Sequence, residues 1–195
     1  LGDVYKRQVV QGAELFTKTT LVTDEVIDEI ENLKELAPVH NHGHALALWA
    51  CKKTMPNIPQ VVVFDTAFHQ TIPQKAFMYG FPYEDYEQYH VRKYGFHGTS
   101  HRFVTAKLAE VMGKDLKDLK VVSCHLGNGS SITAVKGGES IDTTMGFTPL
   151  DGVLMGTRCG AVDPSAVTYV AGKHGFHVAD MDNYMNKNCL LYTSP

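Results

Sequence analysis

Two Gly-rich stretches carry the residue types that handle phosphate. His125-Leu-Gly-Asn-Gly-Ser-Ser131 sets a tight turn between two β-prone runs, Val121 to Leu126 and Ile132 to Val135. Such a turn exposes backbone N–H groups under little side-chain bulk, which suits an anion. A second stretch, Asp142 to Arg158, is Gly-rich and ends in a guanidinium that keeps its charge. His97 lies in Tyr94-Gly-Phe-His-Gly-Thr-Ser-His101, where flanking glycines let the backbone approach a ligand. Asp65 follows the apolar run Val61-Val-Val-Phe64, at the strand end where α/β sheets hold ligands. Together these residues suit phosphoryl transfer.

Each has a plainer reading. Gly127 and Gly129 could only shape a hairpin, and Asp65 could only cap the turn after its strand. His97 could be a hydrogen-bonded core or surface imidazole. Arg158 could pair with Asp142, Asp151 or Asp163. His40-Asn-His-Gly-His44 invites a zinc reading, but no cysteine lies close in sequence, and loop histidines are the expectation.

The elements that would position these groups follow from periodicity and caps. Thr23 or Asp24 caps a helix with Val26, Ile30, Leu33 and Ala37 on one face, stopped by Pro38. Ala45 to Cys51 forms a second short helix. Val61 to Phe64 reads as a fully buried strand, and residues 65–98 read as irregular. A helix then starts near Thr99 or Ser100, puts Val104, Leu108 and Val111 on one face, and ends at Gly113. Three β-prone runs follow at about 121–126, 131–135 and 140–143, a meander with Cys124 inside a buried strand. Asp163 caps a further helix with Pro164 at its first position.

Composition bounds the class. With 44% hydrophobic and 20% charged residues, the chain is of ordinary globular type. A net charge of -3 gives no basic footprint for nucleic acid. Apolar runs fall far short of the roughly 20 residues that span a bilayer. Four scattered cysteines and no charged-then-apolar leader lead us to expect a cytoplasmic protein with reduced thiols.

Taken in order, the segments resemble the acetate kinase family of the sugar kinase and actin superfamily. The likeness runs through Val9-Val-Gln-Gly-Ala-Glu14, Leu36-Ala-Pro-Val-His-Asn41, Val63 to Pro73, Tyr94 to His101, His125 to Ser131 and Asp142 to Gly160. It covers roughly residues 9–187. The resemblance implies an α/β fold of incomplete actin-like (ribonuclease H-like) lobes. Residues 9–65 would be part of the first lobe and 66–187 the start of the second, with 1–8 and 188–195 foreign ends.

The resemblance also implies roles. Asp65, His97 and Arg158 match the family's catalytic residues. His125, Leu126, Gly127, Asn128 and Gly129 match a stretch along the nucleotide phosphates. Val10, Val39, Phe96 and Pro149 match a small apolar pocket for the acyl group, with His40 beside it. The implied reaction moves a phosphoryl group reversibly from ATP to acetate, giving acetyl phosphate and ADP, with Mg2+ and in a homodimer. A carboxylate acceptor is already ionised, so Asp65 need not act as a base, and orienting Mg2+ or its waters, or positioning other groups, is its expected task.

Departures accompany the likeness. Gln8 stands where the family usually has Arg, Gln11 for His, Ala13 for Gly and His42 for Pro. The family's Asn-x-Gly-Ser-Ser-Ser-x-Lys opening and adenosine loops are absent, so we expect an interior portion of a longer enzyme with little activity alone. A propionate or other short-chain acyl kinase, a non-catalytic half-enzyme acting as an interaction module, and a metal protein built on His40, His42 and His44 are the competing expectations.

Overall fold

The computed structural model describes residues 8–37 and 40–188. It begins with a small three-stranded sheet in the order β1-β3-β2. Strand β1 (Gln8–Val9) runs parallel to β3 (Val61–Phe64), and β2 (Thr20–Leu21) pairs antiparallel on the other side. Helix α1 (Asp24–Asn32) starts because the Thr23 hydroxyl accepts the N–H of Val26. It ends sooner than the sequence suggests. Residues Leu33–Glu35 tighten into a 3-10 turn, so Leu33 and Ala37 lie beyond the α-helix. The stripe that enters the core is Ile27 and Ile30, with Val26 at its margin.

Helix α2 (Asn41–Thr54) is twice the expected length and starts within the histidine cluster. His42 and His44 are therefore helical rather than loop residues. Asn41 explains the start. Its buried amide donates to the carbonyls of Gln11 and Ile30 and accepts the Gln11 N–H, fastening α2 to the loop after β1. Val9, Phe16, Ile27, Ile30, Ala45, Leu48, Val62 and Phe64 then form one apolar core, with Phe16 stacked on Phe64 at 4.3 Å. Strand β3 is not buried throughout: Val62 and Phe64 point into the core, while Val61 faces solvent.

The segment after Asp65 is more ordered than an irregular run. It holds a 3-10 turn at Ala67–Thr71 and short helices α3 (Gln74–Phe77) and α4 (Tyr83–Tyr89). Helix α5 (Gly98–Met112) follows and stops where Gly113 turns left-handed. Strands β4 (Lys120–Leu126), β5 (Ser130–Lys136) and β6 (Glu139–Thr143) form the expected antiparallel meander. Helices α6 (Pro164–His174), capped by Asp163, and α7 (Val178–Lys187) close the described chain.

Two expectations invert here. Helix α5 buries Gly98, His101, Thr105 and Ala109, leaving Val104, Leu108 and Val111 exposed. Cys124 is exposed, because β4 turns Ser123 inward and Val122, Cys124 and Leu126 outward. Among the described residues, no helix is long and apolar enough to cross a membrane.

Candidate active site

The end of β3 and the start of α5 meet at Asp65. Its backbone N–H bonds the carbonyl of Val9, and its own carbonyl accepts the N–H of Gly98. A Cβ on Gly98 would collide with that carbonyl, so the close approach requires glycine. Carboxylate oxygen Oδ2 accepts the His97 N–H at 2.8 Å. This bond supports an uncommon backbone, since His97 is left-handed at φ 60°. Burial raises the Asp65 pKa, opposed by the His97 N–H, the Gln8 side chain and nearby His125. Asp65 therefore holds the loop that aims the imidazole.

His97 stacks on His125 with ring centroids 4.0 Å apart, and its Nδ1 lies 2.9 Å from Ser131 Oγ. Burial, then His125 and Arg158, push its pKa down to about 4, so the ring is neutral at pH 7. Arg158 arrives from the loop between β6 and α6. Met155 N–H closes that loop on the Arg158 carbonyl, and Cys159 N–H bonds Met185 in α7. The guanidinium donates to the Pro149 carbonyl at 2.9 Å, and none of Asp142, Asp151 or Asp163 pairs with it.

Gly129 brings the groups together. A Cβ placed there would lie 3.2 Å from both Arg158 Nη1 and His97 Nε2. Imidazole and guanidinium thus both lie close against the turn at Gly129, which lacks a side chain. Its sister Gly127 uses its N–H within the turn, donating to the Gly129 carbonyl at 3.1 Å. Asn128 is exposed at the tip, and His125 faces inward on His97 with Nδ1 2.9 Å from Ser100 Oγ. Leu126 points away onto the outer face of the sheet.

Beside this point opens a cleft of about 270 Å³, lined by Val10, His40, Phe96, Pro149 and Arg158 among others. Four of the five residues expected at an acyl pocket therefore share one cavity with the guanidinium. Val39, the fifth, lies outside the described residues. Phe96 is buried with Met145 and Met155, with Val10 against them, giving that wall its apolar character. Asp182 and Asn186 of α7 also reach the cleft.

Sequence reasoning missed the layer behind His97. His101 sits between Ser131 and Ser123, at 2.7 and 3.0 Å. His69 donates from Nε2 to the carbonyl of Phe96 at 2.9 Å, so its Nδ1 accepts from Ser140. The one available signal was His101, one helical turn after His97. Of the histidine cluster, His42 pairs with Glu31 at 3.0 Å and the His40 and His44 rings stand 6.4 Å apart.

The sequence model of the acetokinase family matches residues 3–193. Acetate kinase 2 of Clostridium perfringens is 56% identical over 185 residues, 95% of this chain and 46% of that protein. The acetate kinase structure from Porphyromonas gingivalis superposes with a TM-score of 0.90 at 41% identity, covering 93% of this chain and 46% of its own. A propionate kinase structure from Francisella tularensis gives 0.88 at 44% identity, covering 93% and 47%. The likeness to these structures makes the α/β fold a partial actin-like ATPase fold. The chain spans about half the length of the curated relatives it matches.

Proposed function

The chain belongs to the acetokinase family, and from that premise we propose that it supplies the acceptor side of a site that moves a phosphoryl group between ATP and acetate. The reaction is proposed for a polypeptide carrying this portion at the length its relatives have. The convergence of Arg158 and His97 around Gly129, at the mouth of an apolar cleft, carries this reading.

The chemistry follows from those groups. An acetate oxygen attacks the γ-phosphorus, the bond to ADP breaks, and charge spreads over three equatorial oxygens. Arg158 and an N–H of His97 would stabilise that charge without reorganising, most strongly in a cleft that excludes water. The acetate methyl would lie against Val10, Phe96 and Pro149, with His40 beside them. His125, Leu126, Gly127, Asn128 and Gly129 would follow the nucleotide phosphates, Leu126 by its backbone since its side chain points outward. Asp65 would act by holding His97 in place.

ATP and ADP are the proposed nucleotides. Among the described residues no three His, Cys, Asp or Glu side chains cluster to hold a metal ion, and the Asp65 carboxylate already accepts an N–H. These residues make no Mg2+ cage of their own. A Mg2+ would come held by the phosphates, as that ion usually is, and no step here rests on it. A homodimer is what the family likeness implies. Cys51 and Cys124, in no disulfide, accord with a cytoplasmic setting.

Trapping acetyl phosphate as its hydroxamate, with the full-length protein, tests the reading. Arg158→Ala should lower kcat about 100- to 1,000-fold, the usual cost of losing one such donor. Turnover that survives this change would remove Arg158 from the reaction. The likeness to a propionate kinase favours a second acceptor. One methylene is worth only about 1–3 kcal/mol, so propionate should be used within about 10- to 200-fold of acetate.

A further inference from the structure

The layer between α5 and the meander holds more than His97 needs for one contact. Ser131 Oγ lies 2.9 Å from His97 Nδ1 and 2.7 Å from His101 Nε2. At the far end, His101 Nδ1 lies 3.0 Å from Ser123 Oγ. His101, Ser131 and Ser123 are all buried. A serine hydroxyl has one proton and two lone pairs, and accepting from both rings would leave its own buried hydrogen without an acceptor, so Ser131 donates to one ring and accepts from the other. Two opposite polarities would satisfy Ser131, and the far end decides between them.

Among the described residues, Ser123 Oγ has His101 Nδ1 as its hydrogen-bond partner. If His101 carried its proton on Nδ1, the Ser123 O–H would be a buried donor with no acceptor. Orphaned donors are rarer in folded proteins than acceptors with a spare lone pair. Ser123 therefore donates to Nδ1, and the His101 proton sits on Nε2. Ser131 accepts that N–H and gives its own hydrogen to His97 Nδ1. The proton of neutral His97 is left on Nε2.

We propose that Ser123, His101 and Ser131 are positioning residues, a one-directional hydrogen-bond chain that holds His97 in its Nε2–H tautomer with that N–H toward Gly129 and Arg158. The chain requires both rings to be neutral, and burial keeps His97 near about 4 and His101 near about 3. No proton travels along it. Its effect is to give an arriving oxygen anion a second donor beside the guanidinium, where the other tautomer would present a lone pair. That purpose rests on the phosphoryl-transfer reading, whereas the tautomer rests on the hydrogen bonds and the burial of the two rings.

The test is a two-bond 15N–1H correlation spectrum of the 195-residue chain, labelled at histidine, at neutral pH. His97 and His101 should both show a protonated Nε2 and a bare Nδ1. Ser131→Ala should turn His97 into a tautomer mixture, and Ser131→Thr, which keeps a hydroxyl, should restore the single form. If Ser131→Ala does not fold, Ser123→Ala is read in its place, with His101 losing its single tautomer and His97 following. A protonated Nδ1 on His97 in the unaltered chain would overturn the proposal, as would serine variants that leave both rings unchanged. Failure of acetyl phosphate formation with this pattern intact would count against the function and leave the chain of bonds standing.

Discussion

The two sheets solve burial in opposite ways. Around β1, β2 and β3 the interior is mainly apolar, from Val9 and Phe16 through Ile27, Ile30 and Leu48 to Phe64, with Gln11 and Asn41 buried at its edge. Under the meander the interior is polar. Its buried residues include Ser123, Ser131, Thr133, Ser140 and Thr143, facing His69, His101 and Thr105. Val135 and Ala109 are buried with them, but several larger apolar side chains of that region look outward, Val111 at 76% and Leu126 at 75% exposure. The first arrangement gains from removing hydrocarbon from water. The second tolerates burial because most of its hydroxyls and imidazoles find partners, as the Thr133–Thr143 pair does at 2.8 Å, although the Thr105 hydroxyl has none among the described residues. One region stabilises a frame, and the other packs imidazoles against hydroxyls beneath the candidate site.

The comparison breaks most readily on paired substitutions. Phe64→Ala, in the first core, should cost about 3–5 kcal/mol, the usual loss for a buried aromatic. Val122→Thr, on the outer face of the meander, should stay within about 0.5 kcal/mol. Urea unfolding of the two variants measures both. A Val122 variant as damaging as the Phe64 one would mean that the outward face is packed in solution.

Acid separates the regions next. Burial lowers the pKa of His69 to about 4 and of His101 to about 3, and His97 falls to about 4. In the unfolded chain each would sit near 6.5. Between those values the unfolded state binds more protons, so stability is lost as pH falls from about 6.5 toward the folded values. His69 alone should lose about 2 kcal/mol between pH 6.5 and pH 5. Asp65, raised by burial, works the other way, because its folded form takes up a proton more readily. In the first region His44 is the imidazole that burial depresses. Urea midpoints at pH 7 and pH 5 should therefore differ, and His69→Gln should shrink the difference. An unchanged difference in that variant would relocate the acid sensitivity.

The same contrast explains what could be read in the residues. Strands at 61–64 and 120–143, the Thr23 and Asp163 caps and the Gly113 stop are local signals, and the structure keeps them. Which face of α5 is buried was not a local matter. Val104, Leu108 and Val111 mark a stripe, but the layer against α5 is made of serines and threonines from distant strands. Alternation in β5 misleads in the same way, since Ser131 and Thr133 look like a solvent face and Ile132 like a core residue. Asp65, His97 and Arg158 were visible because each sits beside a glycine, a strand end or a turn. The proposed role of Ser123, His101 and Ser131 is hidden in the sequence because it depends on distances that no spacing encodes.

Gly129→Ala should produce a small change in stability and a large one in binding. The new methyl would lie 3.2 Å from Arg158 Nη1 and His97 Nε2, so those half-buried side chains must yield by a few tenths of an ångström. Gly129 has no left-handed φ, so the backbone accepts alanine without strain. Urea unfolding should thus change by less than about 1 kcal/mol. The methyl would nevertheless occupy space close to both groups, and nucleotide affinity and phosphoryl transfer in the full-length protein should fall together. A variant that keeps wild-type affinity and turnover would show that the anion does not enter between the guanidinium and the imidazole. The polar interior behind them would then hold an arrangement with no part in the site.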